Sequence, residues 1–90
     1  MKLIWDQRNI AHIARHRVAP EEVNQVLADP RRVQLRARAG RYGYRRYKIV
    51  GQTLSGRYLR VLLDLIPEGF YTVTAFAADT ADRRAYNRRL

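Results

Sequence analysis

The sequence predicts an α+β fold: an antiparallel four-stranded meander with a short extra N-terminal strand, two N-terminal helices and one C-terminal helix packed on the sheet. Three observations carry this. Apolar residues recur at helical spacing before residue 30, they alternate with polar residues between residues 33 and 77, and turn residues punctuate the alternating stretch at short intervals. Consecutive strands joined by tight turns pair antiparallel.

Leu3-Ile4-Trp5 reads as a short first strand, and Asp6 is placed to cap a helix in which Ile10, Ile13 and Ala14 share one face. That helix is expected to end near His16-Arg17. Pro20 at a first helical position, with Glu21 and Glu22 in the first turn where the dipole favours acids, opens a second helix along Val23, Val26 and Leu27. Asp29-Pro30 closes it. The period then changes to two, with Val33, Leu35 and Ala37 alternating with Arg32, Gln34, Arg36 and Arg38. Gly40 to Gly43 is a turn, Tyr44 to Val50 the next strand, and Thr53 to Gly56 a hairpin turn. Leu59, Val61, Leu63 and Leu65 alternate through a further strand, Pro67-Glu68-Gly69 turns the chain, and Phe70 to Ala77 is the last strand. Asp79 or Thr80 caps a final helix carrying Arg83, Arg84, Arg88 and Arg89. One face of the meander is expected to take the helices and the other to be basic and wet.

Ninety residues make one domain, 1–90, with a thin core. Lys+Arg 18 against Asp+Glu 8 leaves a formal charge of +10, and arginine supplies 16 of the 18 bases. A hydrophobic share of 47% excludes a wholly disordered basic tail. The absence of cysteine removes disulfides, thiolate catalysis and Cys-based zinc sites together. The first apolar run breaks at Asp6, too early for a signal sequence, and none approaches the ~18 residues of a membrane span. A soluble, cytoplasmic protein with no membrane partner is expected.

The position of the charge says more than its total. Residues 1–29 and 64–90 each carry four bases and four acids, whereas residues 30–63 carry ten bases and no acid. All of the net charge belongs to one third of the chain, the footprint of a surface for nucleic acid or another polyanion. Tyr42, Tyr44, Tyr47 and Tyr58 interleave there with Arg41, Arg45, Arg46 and Arg60, a mixture suited to stacking unpaired bases while neutralising a backbone. Alternation assigns Tyr47 with Ile49 to the core, and Tyr44 with Arg46 and Lys48 to the exposed face. The predicted RNA-binding set is Arg36, Arg38, Arg41, Tyr44, Arg45, Lys48, Tyr58 and Arg60.

An ordered set of short motifs runs along nearly the whole chain. Trp5-Asp6 is followed by Asn9, then Arg15-His16-x-Val18 with Glu21-Glu22, Asp29-Pro30, Arg46-Tyr47-x-Ile49-x-Gly51, Ser55-Gly56-Arg57, and Arg83-Arg84-Ala85-Tyr86. In this order they resemble the BrnT family of toxins, the ribonuclease halves of bacterial type II toxin–antitoxin pairs, which share a small α+β fold with RelE-like toxins. The resemblance implies metal-independent RNA cleavage without a cofactor. It also implies neutralisation by a cognate antitoxin of the ribbon-helix-helix kind, through which alone operator DNA is bound. The chain departs from the family pattern at Tyr44-Arg45, where an acid is usual, and at Phe76, where an arginine is usual. A non-catalytic RNA-binding module, or an inactive paralogue that only binds its antitoxin, is the alternative.

Such cleavage needs a base for the 2′-OH proton, a cation for the pentacoordinate phosphate and an acid for the leaving 5′-oxygen. His16 is the first candidate for acid or base by residue type, with a helix C-cap as its bland alternative. His12, one turn earlier on the same face, permits a two-histidine metal pair but has no third ligand at the usual spacing, so no metal is expected. Arg46 and Arg57 are the arginines that the resemblance places as phosphate clamps, against the alternative of solvated side chains. Asp64 is the one acid on its strand face, able to orient a catalytic group or simply to form an ion pair. Arg83 completes the predicted catalytic set of His16, Arg46, Arg57 and Arg83 if the last helix folds back on the sheet.

Overall fold

A computed structural model describes residues 2–88. The chain runs β1 (Leu3–Ile4), α1 (Gln7–Ala14), α2 (Pro20–Ala28), β2 (Val33–Leu35), β3 (Arg45–Gln52), β4 (Tyr58–Ile66), β5 (Gly69–Ala77) and α3 (Thr80–Asn87), with one 3-10 turn at Arg41–Gly43. The five strands form a single mixed sheet in the order β1-β5-β4-β3-β2. β2 to β5 pair antiparallel in chain order, and β1 joins in parallel through Leu3↔Phe70 and Ile4↔Tyr71. The fold is thus α+β as expected, and the short first strand is what makes the sheet mixed. Among the described residues no helix is long and apolar enough to cross a membrane. Arg89, read from the sequence as part of the last helix, lies outside the described residues.

Asp6 caps α1 as its position suggested. Its carboxylate accepts the Asn9 N–H at 2.8 Å, and the Asn9 side chain accepts the Asp6 N–H at 2.9 Å. Asn9 also donates to the Ile4 carbonyl, tying the helix start to β1. This buries Asn9 and leaves Ile10, assigned to the core by spacing, 41% exposed. Because β1 stops after two residues, α1 takes the sheet edge beside the rest of β5, and only Ile13 of its apolar residues is fully buried.

The main core lies under one face of the sheet, where Ile13, Val18, Val23 and Val26 meet Ile49, Leu59, Val61, Leu63 and Ala75. Burying each such valine, leucine or isoleucine contributes about 1.5–3 kcal/mol relative to leaving it in water. Tyr47 packs against this cluster, as alternation indicated. α2 approaches β3 so closely at Gly51 that a Cβ there would meet Val26.

The expectation that one face takes all the helices is corrected. α3 packs on the opposite face, where Tyr86 joins Val50 and Val33 in a second small cluster. The Tyr86 hydroxyl donates to Asp29 Oδ2 at 2.7 Å, and the same carboxylate receives the Gln52 N–H at 2.9 Å. Ile49 and Val50 are therefore both buried although they point to opposite faces. The basic face is open only beyond the region that α3 covers. The strand expected over Val33–Ala37 also stops early, at Leu35, and residues 36–40 leave the ladder toward a loop whose Gly40 N–H bonds the Tyr44 carbonyl.

Candidate nucleic-acid interface

Strand pairing lays this face out in three rows, the last of them partly under α3. Arg46 of β3 stands beside Asp64 of β4 and Tyr71 of β5; Lys48 beside Leu62 and Thr74; Val50 beside Arg60 and Phe76. Neighbouring columns are ~4.8 Å apart by ordinary sheet geometry. Each row continues onto the first helix or its cap. The Tyr71 hydroxyl bonds both Asp6 oxygens at 3.1 Å, His12 Nε2 lies 3.0 Å from Thr74 Oγ1, and the His16 ring stands edge-on to Phe76 at 5.7 Å between centroids. A β-bulge in β5 opposite Leu62/Leu63 makes this possible, because it shifts the alternation and brings Thr74 and Phe76 to the same face as Tyr71.

Arg46 holds Asp64 through two hydrogen bonds, 2.6 and 2.9 Å, so the ion-pair reading of Asp64 is the one realised. The paired carboxylate holds the guanidinium pKa above its ordinary value. Gly40 crosses directly over this carboxylate, where any Cβ would collide with it. Two depressions meet at Arg46. One, of about 510 Å³, has Arg36, Arg38, Lys48 and Arg60 around Leu62. The other, of about 590 Å³, brings Arg8, His12, Arg41, Tyr42 and Tyr44 together with Arg46. At its edge the Asn9 N–H bond holds the Asp6 carboxyl below its usual range, while burial and then the Asp6 bond push the Tyr71 hydroxyl up.

The predicted residues divide into those this face gathers and those used elsewhere. Arg36, Arg38, Arg41, Tyr44, Lys48, Arg46 and Arg60 border the two depressions, and His16 stands at the end of the third row. Arg60 is also a structural anchor, bonding the buried Asp82 of α3 at 2.8 and 2.7 Å. Arg45 leans over the Tyr47 ring at 5.1 Å. Tyr58 is enclosed between Tyr86 and the Arg83 guanidinium, which lies 4.5 Å from its ring centre, so neither presents a free stacking surface. Arg57 is engaged at the opposite end of the β3–β4 ribbon. Its guanidinium donates to the carbonyls of Arg17 and His16 and to the Glu22 carboxylate, clasping the corner between α1 and α2. Six residues of strand, about 20 Å, separate that end from Arg46.

His12 and Arg8 are the residues that sequence reasoning did not assign to this surface. The signal present was the four-residue step from His12 to His16, whose rings do lie together, 5.5 Å apart. Their destination depended on the edge position of α1, which spacing does not encode. Among the described residues no group of three or more His, Cys, Asp or Glu side chains clusters as a metal site. No family model and no curated protein matches the chain.

Proposed function

We propose that the chain binds RNA across this face and cleaves it as a metal-independent endoribonuclease, acting in the cytoplasm as the toxin of a type II pair and neutralised by a cognate DNA-binding antitoxin. The observation that supports it is the three-row pavement, which sets two imidazoles at one border of a surface carrying Arg46, Lys48 and Arg60. In the proposed reaction an imidazole takes the 2′-OH proton and the 2′-oxygen attacks phosphorus. The bond to the 5′-oxygen breaks as a proton is delivered to it, and a 2′,3′-cyclic phosphate remains. Lys48 and Arg46 are suited to offset the charge on the pentacoordinate phosphate. His12, held at Thr74 in the depression that Arg46 also lines, is the preferred base. The resemblance of the ordered motifs to BrnT toxins supplies the biological setting.

The test is incubation of the purified protein with RNA in EDTA. Cleavage leaving cyclic phosphate ends, and none at a 2′-deoxy or 2′-O-methyl position, supports the assignment; cutting of all-DNA substrate contradicts it. The second reading, an RNA-binding module without catalysis, is favoured by the engagement of Arg46, Arg60 and Arg57 with carboxylates, which leaves less cation free for a transition state. Salt-sensitive binding without cleavage distinguishes it.

A further inference from the structure

Tyr42 is an exposed aromatic residue, 90% accessible, although it sits at the rim of the depression that holds His12, Arg41 and Arg46. Its backbone is left-handed, φ 58° and ψ 22°, a conformation that L side chains pay for and that glycine takes freely. The ring is nevertheless placed rather than loose. The Gly43 N–H bonds the Gly40 carbonyl at 3.3 Å, the Tyr44 N–H bonds the Arg41 carbonyl at 3.1 Å, and Gly40 is seated on Asp64. Tyr44 stands T-shaped to the Tyr42 ring at 6.2 Å between centroids, and at 90% exposure most of the Tyr42 ring stays open. A strained residue with an unburied ring contributes nothing to the core, which points to a use for the ring in binding.

We infer that Tyr42 is a stacking platform for one unpaired nucleobase, and that the depression accordingly takes single-stranded RNA and refuses the duplex. The inference rests on the RNA reading above and narrows it to a substrate class. An aromatic face stacks any base, but only one withdrawn from its helix, and the deep major groove of A-form RNA keeps paired bases out of reach. With a base on Tyr42, Arg41 and Arg46 stand where the adjoining phosphates pass. Strand flexibility at that point is also what in-line attack by a 2′-oxygen requires.

The experiment measures binding of a fluorescent 12-nucleotide RNA, single-stranded or annealed to its complement, at fixed salt with 2′-O-methyl sugars to prevent cutting. Wild type should prefer the single strand. Tyr42→Ala should weaken that binding about tenfold and leave the duplex affinity unchanged, the loss of one base–aromatic stack. Tyr42→Phe should retain it, since the hydroxyl is not used. Tyr42→Gly separates strain from stacking, because it should melt no lower than wild type and yet bind as weakly as the alanine variant. Equal single-strand binding by wild type and Tyr42→Ala overturns the platform while the RNA reading stands. Failure of wild type to bind either RNA overturns the reading and the platform together.

Discussion

Arg60 and Asp82 meet through two parallel hydrogen bonds of 2.8 and 2.7 Å, and the carboxylate side chain is only 2% exposed. The pair joins the first part of β4 to the first turn of α3, where Asp82 also accepts the Asp79 N–H. Truncating the arginine strands a buried charge, which costs about 3 kcal/mol, a large share of the stability of so small a domain. Arg60→Ala should therefore lower the urea midpoint markedly, whereas Arg60→Met with Asp82→Leu should recover much of it. If the double variant is no better than the single one, the pair is not what holds α3 on the sheet.

Arg57 and Arg46 should separate in their effects. Arg57→Ala removes the clasp on the Arg17 and His16 carbonyls and should cost about 1–2 kcal/mol of stability while leaving RNA cleavage per folded molecule intact. Arg46→Ala should reduce cleavage at least 100-fold if its guanidinium also meets phosphate. Rates normalised to folded protein, with denaturation curves on both variants, decide between them. A catalytic loss confined to Arg57→Ala would place the site at the α1–α2 corner.

His12→Ala and His16→Ala test which imidazole moves the proton. His12 faces Thr74 beside the Arg46 depression, while His16 is exposed and leans on Phe76. His12→Ala should abolish cleavage and keep RNA binding; His16→Ala should slow it by no more than about tenfold. Single-turnover rates with binding measured in parallel report the split, and the opposite order would assign the base to His16.

Thr72 Oγ1 is buried and has no hydrogen-bond partner among the described residues. Thr72→Val keeps the shape and removes the orphaned hydroxyl, so it should raise stability by about 1 kcal/mol. A lower melting temperature would mean that the hydroxyl is satisfied in solution.

The Tyr86–Asp29 contact predicts stability losses at both ends of the pH scale. Burial works to raise the Asp29 pKa, but bonds from Arg31, Tyr86 and Gln52 together hold it below the ordinary 3.8. Its contribution is present above that value and is lost as pH falls through the lower folded pKa. Burial first, and then the Asp29 bond, push the Tyr86 hydroxyl from 10 up to about 12. That contribution is complete below pH 10 and is lost as pH rises toward 12. Tyr86→Phe should flatten the alkaline arm of a stability-against-pH curve, and an unchanged arm would move the effect to another group.

Much of the fold was legible because its signals are local. Asp6 and Asp79 cap the helices that their positions announce, Pro20 opens α2, and the alternation through Leu59, Val61 and Leu63 gave the correct core face. Three features were not. The bulge in β5 flips Thr74 and Phe76 relative to Thr72, and no residue pattern there marks the extra position. The same sequence alternation in β3 hid the fact that α3 would cover Val50, since contact between residue 50 and residue 86 is a tertiary event. At the site, charge density marked residues 30 to 63 as the expected basic surface. It said nothing of which arginines would find carboxylates, because Glu22, Asp64 and Asp82 lie outside or at the border of that run.

β1 reaches its partner only across most of the chain, from residue 3 to residue 70, whereas β2 through β5 are joined neighbour to neighbour. Closing the long loop costs more entropy than closing the hairpins, so we expect the meander to organise first and the β1–α1 edge to dock last. Ile4→Ala should then hasten unfolding while hardly slowing refolding in stopped-flow measurements. For a chain emerging from a ribosome the order matters. The arginine-bearing strands can assemble while His12 and His16, made earlier, still have no Thr74 or Phe76 to lean on. On the proposed ribonuclease reading, a nascent chain would thus hold RNA before it could cut it, sparing the machine that is synthesising it.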